Sequence, residues 1–379
     1  MTSRRNGHPS KPEDLKSKTT HGQLRHPESE RFHEFVPDLT GDYGGVHAAP
    51  NEISIPRPEW PKPIIISTRF GPNFLWHMLA SAQIGYESDY AAKYSQVVNP
   101  QDLAFLRYHG SLLWIGHGEP STLASSFIYL PSWLKLGTRG DFQDYFNVIR
   151  RILLSGDPSP LFECYPEHDW SDPLMKHVRE GLDFPADADQ DFHDLFRRTA
   201  EIFMNSIEPY REQVWPEAVA AMTPRLLEMS EFVAGRDLIA QWEQLLGIEF
   251  KADEYEIILC FANKGGSDAN SIGYSKNLFY YDKPFDQTCQ FLSHEVGSHL
   301  LMETYLELAA TGEHDGKRLY EAFECLAKFY NRMVLDTKEL VYPLTGMDEG
   351  HFVPFYEKIY RENKSHRDLM IQAVRLSGS

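Results

Sequence analysis

Two histidines and a glutamate stand close together near the middle of the second half of the chain, as His294, Glu295 and His299. Imidazole nitrogens bind Zn²⁺ readily, and a carboxylate beside them can take a proton from the water that the metal activates. In the common helical pattern the two histidines are four residues apart, whereas here they are five apart. The three residues predict a catalytic zinc site with two histidine ligands and Glu295 as general base.

The extra residue between the histidines needs a physical explanation. On a regular α-helix the second histidine is rotated by about 140° from the first, against about 40° for a four-residue step. A one-residue π-bulge removes this difference, and such bulges are frequent at functional sites. We expect the bulge at Gly297-Ser298, where small residues tolerate a distorted backbone. The alternative is a pair of ordinary helix histidines.

A second helical segment begins near Leu319 and contains two glutamates, Glu321 and Glu324. A glutamate on the helix that follows is the usual third ligand when two histidines come from the first helix. Residues three apart lie on one helical face, so one of these carboxylates can bind the metal while the other orients a histidine. The residues alone leave both assignments open.

The stretch His-Glu-Val-Gly-Ser-His, residues 294–299, resembles the active-site helix of zincin metallopeptidases of the gluzincin type with an H-E-x-x-x-H motif. This variant occurs in dipeptidyl peptidase III and in the microtubule-associated tyrosine carboxypeptidases, and the second group carries similar His-Glu-Ile-Gly-Thr-His motifs. Glu324-Cys325-Leu326-Ala327 is similar to the Glu-Gly-Leu-Ala segment that carries the third ligand in many gluzincins, with cysteine replacing glycine. The resemblance implies a zinc peptidase with ligands His294, His299 and Glu324, and it leaves Glu321 as a rival.

Metallopeptidases often place a tyrosine or histidine opposite the metal, where it stabilises the oxyanion of the tetrahedral intermediate. Tyr342 and His351 follow the second helix in a segment that has the composition of a loop. We name both as candidate donors on their position alone.

Two strand patterns precede the histidine helix, at residues 256–261 and 272–281. In zincin-like proteases the strand beside the active-site helix is an open edge, to which an extended peptide can pair through main-chain hydrogen bonds. The second pattern is therefore our candidate substrate-binding edge, and it includes Gly273, Tyr274 and Ser275. An interior hairpin is the competing interpretation.

The helix and strand patterns around these residues predict a predominantly helical α+β fold. We expect a zincin-like catalytic region with a small β-sheet beside the active-site helix. We expect residues 1–60 to form an extended or disordered arm, residues 61–247 a mostly helical supporting region and residues 248–379 the catalytic region. Further expectations are a strand at 61–68, a helix that begins at Pro72, helices over 195–246 with breaks at Pro209 and Pro216, and helices at 285–309, 319–335 and 353–374.

Composition narrows the possible partners. A formal net charge of −18 in 379 residues argues against nucleic acid or an anionic membrane as the main partner, since both attract basic surfaces. The polar amino terminus and the lack of a membrane-length apolar stretch favour a cytoplasmic protein.

We expect reduced, buried thiols at Cys164, Cys260, Cys289 and Cys325. Oligomeric state leaves no signal in the sequence.

Three classes of function remain at this stage. The first is a zinc-dependent hydrolase, specifically a metallopeptidase that cleaves a peptide or amide bond. The second is a helical di-iron oxidase, because Glu295 and His299 are four residues apart and share a helical face, with further ligands from Glu303, Glu321, Glu324 and His314. This second class gives His294 no role. The third is a helical binding protein without catalysis.

Overall fold

The computed structural model describes residues 49–55, 59–85, 89–113, 115–116, 119–121, 123–175, 182, 184, 190–262, 269–360 and 365–377. Most of the expected amino-terminal arm, residues 1–48, lies outside the described residues. The α-helices are α1 (Phe70–Ala82), α2 (Asp89–Tyr94), α3 (Pro100–Tyr108), α4 (Leu130–Trp133), α5 (Arg139–Ser155), α6 (Ser159–Cys164), α7 (Gln190–Gln213), α8 (Trp215–Ala234), α9 (Leu238–Leu246), α10 (Phe285–Ala310), α11 (Gly316–Val334), α12 (Glu349–Ile359) and α13 (His366–Ser377).

The strands are β1 (Glu52–Ser54), β2 (Ile64–Arg69), β3 (Ile115–Gly116), β4 (Glu119–Pro120), β5 (Tyr255–Cys260), β6 (Ala269–Gly273) and β7 (Lys276–Tyr280). Five of them form one mixed sheet in the order β1-β2-β5-β7-β6, and β3 pairs with β4. The central pairs β2/β5 and β5/β7 are parallel, whereas the outer pairs are antiparallel. The fold is thus predominantly helical α+β with a small mixed sheet, as the sequence predicts.

The sheet joins regions that the sequence analysis treated separately. Strand β2 pairs with β5, so residues on both sides of position 248 contribute to one sheet. Strand β5 is buried throughout and β2 is buried up to Arg69, as parallel strands covered on both faces must be. Strand β1, inside the expected arm, pairs with β2. The site is therefore supported by strands from distant parts of the chain.

The predicted strand over 272–281 is wrong in one respect, because it is a hairpin. Strand β6 ends at Gly273, the chain turns, and β7 returns antiparallel from Lys276, with a register irregularity between Ser271 and Gly273. Strand β6 is at the sheet edge, whereas β7 lies between β5 and β6. Gly273, Ser275 and Asn277 are residue types typical of turns, so the sequence held a local turn signal that the single-strand prediction did not use.

Two helix boundaries also differ from expectation. Pro209 lies inside α7 and does not end it, because buried neighbours such as Phe203 and Tyr210 anchor the helix on both sides of the proline. The predicted break at Pro216 is confirmed, because α7 ends at Gln213 and Pro216 lies in the first turn of α8, where proline is well tolerated. The predicted final helix over 353–374 is two helices, α12 and α13.

The supporting helices build an aromatic core around α1, whose residues are all buried. Phe74 on α1 packs against Phe142, Phe203 and Tyr210 with ring centroids 5.5–6.1 Å apart.

Of the four cysteines, which are all free, Cys164 is exposed, against expectation, and the other three are buried. Within the described part of the chain, no helix combines the length and apolar character that crossing a bilayer requires.

Candidate functional site

The helix that carries both histidines, α10, is α-helical from Phe285 to Ala310, so the predicted π-bulge at Gly297-Ser298 is wrong. Gly297 has a different role. A Cβ at this position would lie 2.3 Å from Cη2 of Trp242 on α9, and the Trp242 indole N–H donates to Ser293 Oγ at 3.1 Å. Glycine is therefore required for close packing of the indole on α10, with no distortion of the helix.

His294 is fully buried against other side chains. Its ring packs on Phe291 and Tyr342, with centroids 5.5 and 5.4 Å away. Its Nε2 lies 2.9 Å from Oε2 of Glu324 on α11, so in this arrangement the imidazole N–H donates to the carboxylate. Nδ1 is buried and has no hydrogen-bond partner among the described residues. One predicted ligand thus contacts another directly.

His299 faces the sheet, where both of its ring nitrogens have partners. Nδ1 lies 2.7 Å from the carbonyl oxygen of Tyr274, which can only accept, so Nδ1 carries the proton. Nε2 then accepts from the Ser271 hydroxyl at 2.8 Å. Burial lowers the pKa of His299 to about 4, which keeps the imidazole neutral at pH 7. A neutral imidazole with Nδ1–H held by a carbonyl is the usual state of a metal-binding histidine.

Glu295 points toward β7 and is buried. Its Oε2 accepts from Nδ2 of Asn277 at 2.6 Å, and the same amide group donates to Ser271 Oγ at 3.2 Å. Burial raises the pKa of Glu295 to about 8, and the negative charge of Glu324 adds to this rise. A cation bound nearby would favour the ionised carboxylate and reverse the shift.

The two glutamates of α11 have different surroundings. Glu324 contacts His294, whereas Glu321 forms ion pairs with Arg318 at 3.2 Å and Lys317 at 3.8 Å. The two positive partners of Glu321 engage both of its carboxylate oxygens. Glu324 is thus the glutamate that contacts a histidine, and Glu321 belongs to a salt-bridge network.

We tested whether the residues fit a zinc ion. Two imidazoles and a carboxylate form a common zinc donor set, and the Glu324 charge acts on both Glu295 and His299, so the four side chains share one neighbourhood. Within the described ranges, however, no three His, Cys, Asp or Glu side chains converge closely enough to hold a metal. The donor types and the His299 tautomer fit zinc. Ligation would require the His294–Glu324 and His299–Ser271 hydrogen bonds to open.

The two predicted oxyanion donors have different positions. Tyr342 is buried beside His294, and its hydroxyl oxygen accepts from Asn331 Nδ2 at 3.0 Å. Burial raises the pKa of its phenol. His351 is exposed on α12, and the ring contacts described for it are with Phe352 and Phe355 of the same helix. The structure brings Tyr342 to the site and does not bring His351 there.

The predicted substrate-binding residues form the turn between β6 and β7. Tyr274 lies with its ring stacked on Phe250, at 5.1 Å, and on His299, at 6.2 Å. The Ser275 carbonyl accepts from the Glu256 amide, and Gly273 packs against Trp133. The three residues thus contact other parts of the protein, and Tyr274 holds His299 through its carbonyl. The strand at the sheet edge is β6.

Three residues of this neighbourhood were not predicted from the sequence: Ser271, Asn277 and Tyr320. Tyr320 is half-buried on α11, with its ring 5.9 Å from Tyr305, and the pKa of its phenol is raised by burial and by the charges of Glu324 and Glu295. It precedes Glu324 by four residues, a spacing that places both on one helical face. Asn277 was detectable as a polar residue that shares a strand face with Phe279.

Among the described residues, no three His, Cys, Asp or Glu side chains lie close enough together to supply the ligands of a di-iron site. Glu303 is exposed and forms an ion pair with Lys251 at 2.7 Å, and Glu321 is held by Arg318.

A comparison of this chain with protein-family models, with curated proteins and with solved structures gives no match. The geometry of the site therefore carries the functional argument by itself.

Proposed function

We propose that this chain is a zinc-dependent hydrolase, specifically a metallopeptidase that cleaves a peptide or amide bond. The observation that carries the proposal is the buried contact of His294 with Glu324, next to a neutral His299 whose Nδ1 proton is held by the Tyr274 carbonyl. In the proposal, His294, His299 and Glu324 bind the zinc. The chemistry that zinc supplies in such a site is a lower pKa for the attacking water and a polarised scissile carbonyl.

Glu295 acts in this proposal as the general base. Asn277 binds one carboxylate oxygen, Oε2, and leaves Oε1 as the oxygen that accepts the water proton. The same carboxyl then donates this proton to the leaving amine. Glu295 is buried beside a second carboxylate, Glu324, a setting that is frequent for acid–base residues of active sites.

Tyr320 replaces Tyr342 and His351 as the proposed donor to the developing oxyanion. Its phenol is half-buried near Glu324 and Glu295, so a substrate at the site can reach it. The Tyr342 phenol is enclosed beside Asn331, and His351 lies at the surface. Preorganised donors of this kind are each worth about 10²–10³ in turnover.

The other two classes of function receive less support. The ion pairs of Glu303 with Lys251 and of Glu321 with Arg318 engage two of the carboxylates that a di-iron oxidase would need, and this argues against that class. A binding protein without catalysis would not need a carboxyl buried next to another carboxylate, an arrangement that costs stability and is frequent at active sites.

The test combines metal analysis with one substitution. We expect the purified chain to contain one zinc, and Glu295→Gln to retain it while hydrolysis of a peptide library falls by at least about 100-fold. Glu321→Gln is the matched control, because it changes another buried carboxylate and should leave activity nearly unchanged. A protein that takes up no zinc, or a fully active Glu295→Gln variant, would refute the proposal. Two irons per chain would favour the oxidase.

A further inference from the structure

Asp172 lies far from the histidines in the sequence, yet its carboxylate contacts the turn that holds His299. It is buried, and it precedes the short 3₁₀ helix Pro173–Met175. Its Oδ2 accepts from the backbone N–H of Tyr274 at 2.8 Å, and its Oδ1 accepts from the backbone N–H of Leu174 at 2.8 Å. One side chain thus fixes the turn to a separate segment.

Two further contacts dock the same turn. A Cβ on Gly273 would lie 2.7 Å from the Trp133 ring and 3.1 Å from Asp172 Oδ2, so the missing side chain lets both residues approach the turn. After the turn, Lys276 Nζ donates to the Trp133 carbonyl at 2.9 Å. The turn is therefore held at Gly273, at Tyr274 and at Lys276.

The opposite side of Tyr274 contacts the site. While its N–H donates to Asp172, its carbonyl accepts from His299 Nδ1 at 2.7 Å. Displacement of the turn moves this carbonyl, because the neighbouring peptide planes are rigid. Loss of the carbonyl would free the imidazole to rotate and to exchange its tautomer.

We infer that Asp172 is a positioning residue for His299, acting through the backbone of Tyr274. It keeps the Nδ1 proton directed at the Tyr274 carbonyl and the Nε2 lone pair directed at the Ser271 hydroxyl. His294 has no comparable backbone support, since its Nε2 meets the Glu324 carboxylate. The consequence for metal affinity rests on the proposed zinc function, whereas the orientation of His299 does not.

The first measurement is solvent exchange of the His299 Nδ1 proton, by NMR on the metal-free full chain labelled with ¹⁵N-histidine. We expect Asp172→Ala to accelerate exchange at least about tenfold. Asp172→Asn should give a smaller acceleration, because one acceptor oxygen remains. Zinc affinity, measured by competition with a chromophoric chelator, should fall about tenfold in Asp172→Ala, as for other groups that orient a metal ligand.

Asp169→Ala is the matched control. Asp169 is exposed and accepts hydrogen bonds from Ser171 in the same segment, so Asp169→Ala disturbs the segment and keeps the Asp172 carboxylate that accepts from Tyr274. Unchanged proton exchange in folded Asp172→Ala would overturn the inference. If that variant does not fold, unchanged exchange in Asp172→Asn overturns it. If the wild-type chain binds no zinc, the proposed function fails, while the exchange measurement still decides the role of Asp172.

Discussion

His294 and His299 lie on one unbroken helix and have contrasting environments. His294 is enclosed by side chains of α10, α11 and the loop that carries Tyr342, and it contacts an acidic residue directly. His299 is held by the backbone and hydroxyl groups of the β6–β7 hairpin. One histidine thus depends on the packing of helices, and the other depends on the sheet.

The difference follows from the spacing of the two residues. Five positions along a regular helix rotate a side chain by about 140°, so the two imidazoles must face different neighbours. The helical layer supplies Glu324 as the partner of one, and the sheet supplies Tyr274 as the partner of the other. A metal at this junction would draw on both layers, and the following predictions test the contribution of each.

The largest expected effect is on zinc binding when either histidine is removed. His294→Ala and His299→Ala should each weaken zinc affinity by more than about 100-fold, the most that loss of an orienting partner alone produces. Chelator competition measures both variants. Loss in His294→Ala with wild-type affinity in His299→Ala would show that the sheet-facing histidine is structural only.

Substitution of Glu324, the acidic partner of His294, should have a smaller effect on zinc affinity. Glu324→Gln should weaken zinc binding by about tenfold or more, because an amide is a poorer ligand than a carboxylate. Glu321→Gln should leave affinity within about threefold, since the Glu321 carboxylate is engaged by Arg318. The reverse order of affinities would assign the third ligand to Glu321.

Acid should destabilise the metal-free protein partly through His299. The pKa of this group is 6.5 in the unfolded chain and about 4 in the folded chain, because it is buried. The unfolded chain therefore binds the proton first, so this contribution is complete above pH 6.5 and is lost as the pH falls toward 4. The loss should reach at most about 3 kcal/mol of unfolding free energy.

Urea unfolding between pH 7 and pH 4.5 measures this dependence. His299→Gln should reduce the pH dependence of the unfolding free energy. His77→Gln is the reference for a buried histidine outside the site, because burial alone lowers the pKa of His77 to about 3 in the α1 core. Equal pH dependence in the wild type and in His299→Gln would contradict the buried neutral state of His299.

The smallest effect concerns the packing of α10. Gly297→Ala should lower the unfolding free energy by about 1–3 kcal/mol, because its Cβ would overlap the Trp242 ring. Gly350→Ala on α12 meets nothing within 4 Å and should be neutral or slightly stabilising. Thermal unfolding of both variants separates packing from helix propensity. A stabilised Gly297→Ala would mean that the indole does not contact the helix.

Local signals in the sequence predicted the helices of the site closely. The expected helix over 285–309 is α10, Phe285–Ala310, because apolar periodicity and the Asp and Pro residues before it act within a few positions. Two of the predicted zinc ligands, His294 and Glu324, are in hydrogen-bond contact, and their role as ligands stays a prediction. The π-bulge could not be judged in this way, since the ring that requires Gly297 belongs to Trp242, on another helix.

The amino-acid sequence by itself determined which residues can do chemistry and which of them lie on helices, because residue type and helical periodicity are local properties. Tertiary structure decided where these residues face. Only the sheet order brings the Ser271 and Asn277 side chains to His299 and Glu295, and only long-range docking places Asp172 on the amide of Tyr274, 102 positions away. Such contacts depend on how distant segments pack, which no local pattern encodes.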